Sequence, residues 1–180
     1  MRLVTFTAGG SPGWGRVEGD EIVVLSGGAL PASVLALLDA GPDALAAAAR
    51  ADGPRRALSL VRLSAPVLRP RKILAIGLNY ADHAAETGRP APEIPIVFNK
   101  QVTAVAGPFD DVHRPRVSSM LDYEGELGVV IGRRCRHVPR ARAAGVIAGY
   151  VIVNDVSVRD WQARTPTMTM GKSFDTHCPF

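Results

Sequence analysis

The run Leu121-Asp122-Tyr123-Glu124-Gly125-Glu126-Leu127-Gly128-Val129-Val130 constrains this chain more than any other segment. Its apolar second half predicts a buried strand, and residues two apart in a strand share a face, so Glu124 and Glu126 point the same way. A second β-branched run, Val151-Ile152-Val153-Asn154, ends on Asp155. If the two runs are neighbours, a third carboxylate reaches the same place. At about 4 Å and an effective dielectric of about 20, each like-charge pair costs about 4 kcal/mol, enough to force protonation unless a divalent ion sits between the groups. Ligands that are all oxygen, with no Cys and no paired His nearby, favour Mg²⁺, Mn²⁺ or Ca²⁺ over zinc. Taken alone, a Glu-x-Glu strand is more often the solvated face of an antiparallel sheet. The neighbouring segments Asn154 to Gln162 and Gly171-Lys172-Ser173-Phe174-Asp175 shift the balance towards a site.

Four ordered motifs resemble the fumarylacetoacetate hydrolase family: Gly77-Leu78-Asn79-Tyr80-Ala81-Asp82-His83, Asp122 to Leu127, Asn154 to Gln162, and Gly171 to Asp175. The resemblance runs from about Arg69 to the last residue. It implies that Glu124, Glu126 and Asp155 are metal ligands, that Arg159 and Gln162 contact substrate, and that Lys172 is the active-site lysine. His83 and Glu86 match the family's His-x-x-Glu dyad, in which the histidine activates water. Residues three apart on a helix lie on one face, so Glu86 is placed to set the tautomer of His83. The resemblance also hints at substrate contact for Lys100, at the polar end of the strand Ile96 to Lys100, where a sheet-edge lysine is the other reading.

Without the resemblance the same residues have plainer roles. His83 beside Asp82 and Glu86 reads as a surface histidine at a helix start, and Arg159 beside Asp160 as an ion pair. Lys172 reads as an exposed loop lysine after a turn glycine, Gly171, and Trp161 as packing.

The implied activity is metal-dependent cleavage of a carbon-carbon bond in a diketo acid of the acylpyruvate or fumarylacetoacetate type. The cation chelates the substrate oxygens, His83 with Glu86 deprotonates a water, and hydroxide attacks the remote carbonyl. The departing enolate is stabilised by the metal, by Lys172 and by Arg159. Isomerisation of a hydroxydienedioate in aromatic catabolism, or decarboxylation of an oxaloacetate-like acid, passes through the same enolate, and the sequence does not choose among them. A reading from another class is a catalytically silent, truncated homologue that acts, if at all, by dimerising with a complete relative.

Composition excludes several partners. At 47% apolar and 21% charged residues the chain is an ordinary globular sequence. No stretch approaches a membrane span, and Met1 to Thr7 reads as a strand and not as a secretion signal, from which a cytoplasmic location is expected. Cys135 and Cys178 lie in no metal-type spacing and are expected to be reduced. The net charge of +4 comes largely from arginines spread over loops without interleaved aromatics, so nucleic acid is not an expected partner; a small anionic 2-oxo or diketo acid is the partner the resemblance implies, and a positive field would help attract it.

The expected fold is α+β and mostly β, in two parts. Residues 1–66 read as a small α+β domain with strands at Leu3 to Phe6, Gly15 to Val17, Glu21 to Leu25 and Leu58 to Leu63 around a helical stretch from Pro31 to Ala51, broken at Gly41-Pro42. Residues 67–180 read as the family's layered mixed-sheet catalytic domain. Its elements are a linker at Arg69 to Lys72, strands at Ile73 to Gly77, Ile96 to Lys100, Leu127 to Ile131 and Tyr150 to Val153, helices at Ala81 to Glu86 and Pro139 to Ala148, and a proline-rich loop at Arg89 to Pro95. Family members continue beyond the point that corresponds to Phe180. The expectation is therefore an incomplete catalytic domain with exposed sheet edges and apolar surface, and a homodimer or aggregation as the result.

Overall fold

Alternating apolar and polar residues at the start of the chain build a meander of β1 (Arg2–Ala8), β2 (Ser11–Glu18) and β3 (Glu21–Val24). The turn between β1 and β2 is Gly9-Gly10 with φ of 55° and 80°, as a two-residue hairpin loop with both φ positive requires. In the computed structural model, which describes residues 1–86, 88, 90 and 92–180, β4 (Arg55–Ala57) and β5 (Arg62–Ser64) complete an antiparallel sheet in the order β4-β3-β2-β1-β5. The stretch 58–63, expected to be a single strand, is therefore not one. Its first half, Leu58–Leu60, is a 3₁₀ turn that carries the chain from β4 at one edge of the sheet to β5 at the other, and only Arg62 and Leu63 are strand.

One face of this sheet packs on α1 (Val34–Ala40) and α2 (Pro42–Arg50). Ser33 caps α1 by accepting a hydrogen bond from the Ala36 amide at 3.1 Å. Gly41, with φ of 89°, separates the helices, and Pro42 opens α2. Trp14, Val23, Leu25, Val34, Leu37 and Ala48 form the main core, and Trp14 satisfies its indole N–H on the Pro31 carbonyl at 2.9 Å.

The second part is a set of short paired strands. β6 (Ile73–Gly77) and β7 (Ile96–Lys100) are antiparallel, and α3 (Ala81–Glu86) lies between them in the chain. The proline-rich segment 89–95 includes residues 89 and 91, which lie outside the described residues. β8 (Val105–Ala106) lies beside the last strand of the chain, and β9 (Leu121–Asp122) leads into β10 (Gly125–Ile131), which pairs antiparallel with β11 (Ile147–Asn154). β12 (Ser157–Val158) pairs with β9, α4 (Arg159–Gln162) and α5 (Thr169–Lys172) follow, and β13 (Cys178–Pro179) runs parallel to β8. The strand-rich α+β class expected from the sequence is the class observed.

Two expectations for this part are corrected. The helix expected over 139–148 is a 3₁₀ segment, Arg140–Val146, and β11 already begins at Ile147. The arginines and alanines there leave only Val146 buried, so an α-helix has no apolar face to pack, and Val146-Ile147 prefer an extended backbone. The strands β10 and β11 are also not buried on both faces. They form a two-stranded ribbon whose alternate residues Leu127, Val129, Ile131, Tyr150 and Ile152 point outward, with Leu127 63% and Ile152 82% exposed. Cys135 is exposed and Cys178 buried, both free, and among the described residues no helix is long and apolar enough to cross a membrane.

Candidate metal centre and cleft

The pairing of β10 with β11 sets the register of the acids. Gly125 faces Asn154, and the Asp155 amide donates to the Glu124 carbonyl at 2.9 Å, which places Asp155 beside Glu124. Glu126 stands two residues along on the same face. One carboxylate oxygen from each of Glu124, Glu126 and Asp155 lies within 4.8 Å of the others. The Asn154 side chain accepts from the Glu124 amide at 3.1 Å and fixes the backbone just before the strand.

Three cations surround these acids. The Lys172 ammonium bridges Glu124 Oε2 at 2.6 Å and Asp155 Oδ2 at 2.8 Å. It is delivered by α5, which packs on α4 at Gly171; a Cβ there would collide with the Gln162 backbone N and approach the Val158 carbonyl oxygen to 2.7 Å. Gly171 is thus a close-contact residue within a helix and not a turn glycine, and Lys172 is buried rather than exposed in a loop. The Arg159 guanidinium grips Glu124 Oε1 at 2.6 Å, Asp122 Oδ2 at 2.7 and 2.9 Å, and Gln162 Oε1 at 3.0 Å. Its partner is not the adjacent Asp160, which accepts from Ser118 at 2.6 Å. Lys100 donates to Asp155 Oδ1 at 2.6 Å.

Glu126 is different. Among the described residues no hydrogen bond or ion pair reaches its carboxylate, and burial together with the charges on Asp155 and Glu124 pushes its carboxyl from 4.5 up to about 6. Asp122 moves the opposite way, held below the usual carboxylate range by the Arg159 hydrogen bond. Burial drives the Lys100 ammonium down, against the pull of Asp155. The donor set fits a hard divalent ion: every donor is oxygen, and among the described residues no ion pair neutralises Glu126.

These acids floor a cleft of about 930 Å³, and every site residue expected from the sequence except Lys100 lines it. His83 and Glu86 reach it from α3, although among the described residues no hydrogen bond joins the two. Phe98 forms part of the wall and lies 5.2 Å from the Lys172 ammonium, ring centre to nitrogen. Lys100 lies outside the lining, buried behind Asp155. Trp161 packs, edge-on to Phe174 at 5.8 Å and under the Arg164 guanidinium at 4.2 Å.

Two functional contacts are not evident from reading the sequence. Asp122, which holds Arg159, has the parity of Glu124 and Glu126, and that spacing was the available signal. The Tyr80 hydroxyl accepts from the Leu127 amide at 2.8 Å and ties the segment before α3 to β10; nothing in a single sequence announces it.

Clustered carboxylates thus floor a cleft in a strand-rich fold, with histidine, arginine and lysine on its walls, a concave site of the kind that takes a small molecule. Residues 72–180 match the family described as fumarylacetoacetate (FAA) hydrolase, C-terminal, and residues 1–66 match Rv2993c-like, N-terminal. The chain belongs to the fumarylacetoacetate hydrolase family. It is 38% identical to the human mitochondrial oxaloacetate tautomerase FAHD2A, over 99% of this chain and 60% of that protein. Among solved structures it is similar to the fumarylacetoacetate hydrolase of Exiguobacterium antarcticum, with a TM-score of 0.83 and 33% identity over 99% of this chain and 64% of that one. It is likewise similar to the 2-hydroxyhepta-2,4-diene-1,7-dioate isomerase of Mycobacterium marinum, with a TM-score of 0.77 and 30% identity over 99% of this chain and 63% of that one. The chain thus spans less than two thirds of the length of these relatives.

Proposed function

We propose that this chain takes a small 2-oxo or diketo acid into the cleft over a divalent cation, Mg²⁺ with Mn²⁺ or Ca²⁺ as substitutes, and moves a proton between the keto and enol forms of that acid. One observation carries the reading: the oxygens of Glu124, Glu126 and Asp155 converge within 4.8 Å on the floor of the cleft that also presents His83 and Lys172. Those three carboxylates would hold the cation, which when bound supplies Lewis-acid polarisation of the substrate's oxygens. His83 takes a proton from the carbon beside the 2-oxo group and returns it to the oxygen in the enol direction, the reverse sequence giving the keto form. The Lys172 ammonium faces the oxygen on which negative charge develops. Arg159 and Gln162 hold the substrate carboxylate, and Arg159 does so by sharing the fork that now grips Asp122 and Glu124. The names of two of the similar proteins, a tautomerase and an isomerase, support proton transfer as the shared chemistry.

Hydrolysis of a carbon-carbon bond is the second reading. It is favoured by Glu86, which lines the cleft three residues from His83, so that one water can be served by both. The open apolar face of β10 and β11 supports a homodimer.

The test follows oxaloacetate enol absorbance, and separately acylpyruvate cleavage products, with Mg²⁺ and the unchanged chain. Accelerated keto-enol exchange is expected, with Glu126→Ala reducing it by a factor of about 100 or more. A near-normal rate in Glu126→Ala overturns the metal assignment, and acylpyruvate cleavage without keto-enol exchange favours the second reading.

A further inference from the structure

Alternate residues of a strand share a face, so β7 turns Phe98 and Lys100 to the same side, and both are buried, at 8% and 3% exposure. Their fates differ. Phe98 reaches the cleft wall, whereas the Lys100 ammonium stops behind Asp155, donating to Oδ1 at 2.6 Å and to the Val156 carbonyl at 3.1 Å. Lys172 takes the other oxygen, Oδ2, at 2.8 Å. The Asp155 carboxylate is thus held from both sides, and turning it about its Cβ–Cγ bond breaks a contact to each lysine.

A buried ammonium is costly unless it is paired, and lysine is seldom fully buried. Lys100 sits in this place with two acceptors, one of them the oxygen of Asp155 on the far side from Lys172. We propose that Lys100 is a positioning residue: it fixes the rotamer of Asp155 so that its carboxylate stays turned towards Glu124 and Glu126. The proposal rests on the reading of these three acids as cation ligands. It replaces the substrate contact hinted at by the sequence, because Lys100 contributes nothing to the lining of the cleft.

Charge and position have opposite consequences here, which makes the proposal testable. An ammonium beside a ligand repels a dication, so a lysine that acted by charge alone would weaken metal binding, and its removal would tighten it. A lysine that positions its aspartate does the reverse. The probe is Mn²⁺ alone, titrated calorimetrically into the full chain, with the electron paramagnetic resonance line shape of bound Mn²⁺ as a second readout and circular dichroism as the check on folding. Lys100→Met, which keeps the stem and loses the donor, is expected to weaken Mn²⁺ binding about 10- to 100-fold and to broaden the line shape. Lys100→Gln keeps an N–H donor without charge and is expected to stay within about threefold of the unchanged chain.

Equal or tighter Mn²⁺ binding by Lys100→Met overturns the role of Lys100 and leaves the metal site standing. Absence of Mn²⁺ binding by the unchanged chain overturns both. Where Lys100→Met does not fold, Lys100→Arg decides: it retains the charge in a planar head that cannot occupy the same place. Weakened binding then supports the proposal, and unchanged binding overturns it.

Discussion

Replacing Glu126 by Gln is expected to make the metal-free chain more stable at alkaline pH, the reverse of the usual effect of altering a site residue. The Glu126 carboxyl rises from 4.5 to about 6, first through burial and then through the charges of Asp155 and Glu124. At about 1.4 kcal/mol per pKa unit this is a penalty of about 2 kcal/mol on the ionised form, reduced to about 1 kcal/mol because the side chain is only half-buried and solvent screens it. The folded chain holds this proton more tightly than the unfolded chain. Between pH 4.5 and about 6 it therefore binds more protons, and stability falls as pH rises through that window. Above it the penalty is fully present, and below it there is none. Gln is nearly the same size and cannot ionise. Urea unfolding in the presence of a chelator should show Glu126→Gln more stable by about 1 kcal/mol at pH 8, or higher in melting temperature by about 3 °C, with no gain near pH 4.5. Saturating Mn²⁺ should then stabilise the unchanged chain and not the variant, because a ligand that binds only the folded state adds its binding energy to stability. A variant less stable than the unchanged chain at pH 8, or equally stabilised at both pH values, refutes the like-charge reasoning.

Gly171→Ala is expected to cost about 3 kcal/mol in urea unfolding and to weaken Mn²⁺ binding, because its Cβ meets the backbone at Gln162 and Val158 and forces α5, with Lys172, away from the acids. Trp14→Phe should cost about 3 kcal/mol by the same measurement, from a core cavity and an unpaired Pro31 carbonyl, while Mn²⁺ affinity stays unchanged. The paired change Leu127→Lys with Ile152→Lys, on the open face of β10 and β11, should turn a dimer into a monomer in sedimentation velocity; a monomeric unchanged chain refutes the homodimer.

The sequence was most legible where a short period fixes geometry. Glu124 and Glu126 share a face because strands repeat every two residues, and Asp155 joins them because β10 and β11 are adjacent and antiparallel. The break at Gly41-Pro42 was legible for a local reason too, since a positive φ and a missing amide end any helix. What stayed hidden depended on partners far along the chain. The segment 58–63 looks uniformly strand-like, but its first half is the turn that carries the chain between strands at opposite sheet edges, and only the strand order reveals why a turn is needed there. Lys100 has the parity of Phe98, yet its depth behind Asp155 follows from how β7 meets the Asp155 segment, which no local pattern encodes. The apolar runs of β10 and β11 signal burial, and one face of the ribbon nonetheless stands open, because hydrophobicity states that a surface is to be covered and not by what.

The cluster's charge balance ties these observations together. Glu124 and Asp155 have each oxygen committed to an internal cation, and a site completed in that way would have no reason to admit another ion. Glu126 breaks the symmetry. A fourth internal cation beside it would remove the like-charge penalty and stabilise the fold, but it would also fill the place where a hard ion can bind. Counting Asp122, four carboxylates face three cations, and among the described residues Glu126 is the acid of the four without an ion pair, at about 1 kcal/mol of stability; a dication drawn to Glu126 would find Asp155 and Glu124 already oriented by Lys100, Lys172 and Arg159. With the proposed cation, the lysines would orient the acids and would not replace it, so substitutions at Lys100 and Lys172 should disturb where an ion binds, whereas substitution at Glu126 should decide whether one binds at all.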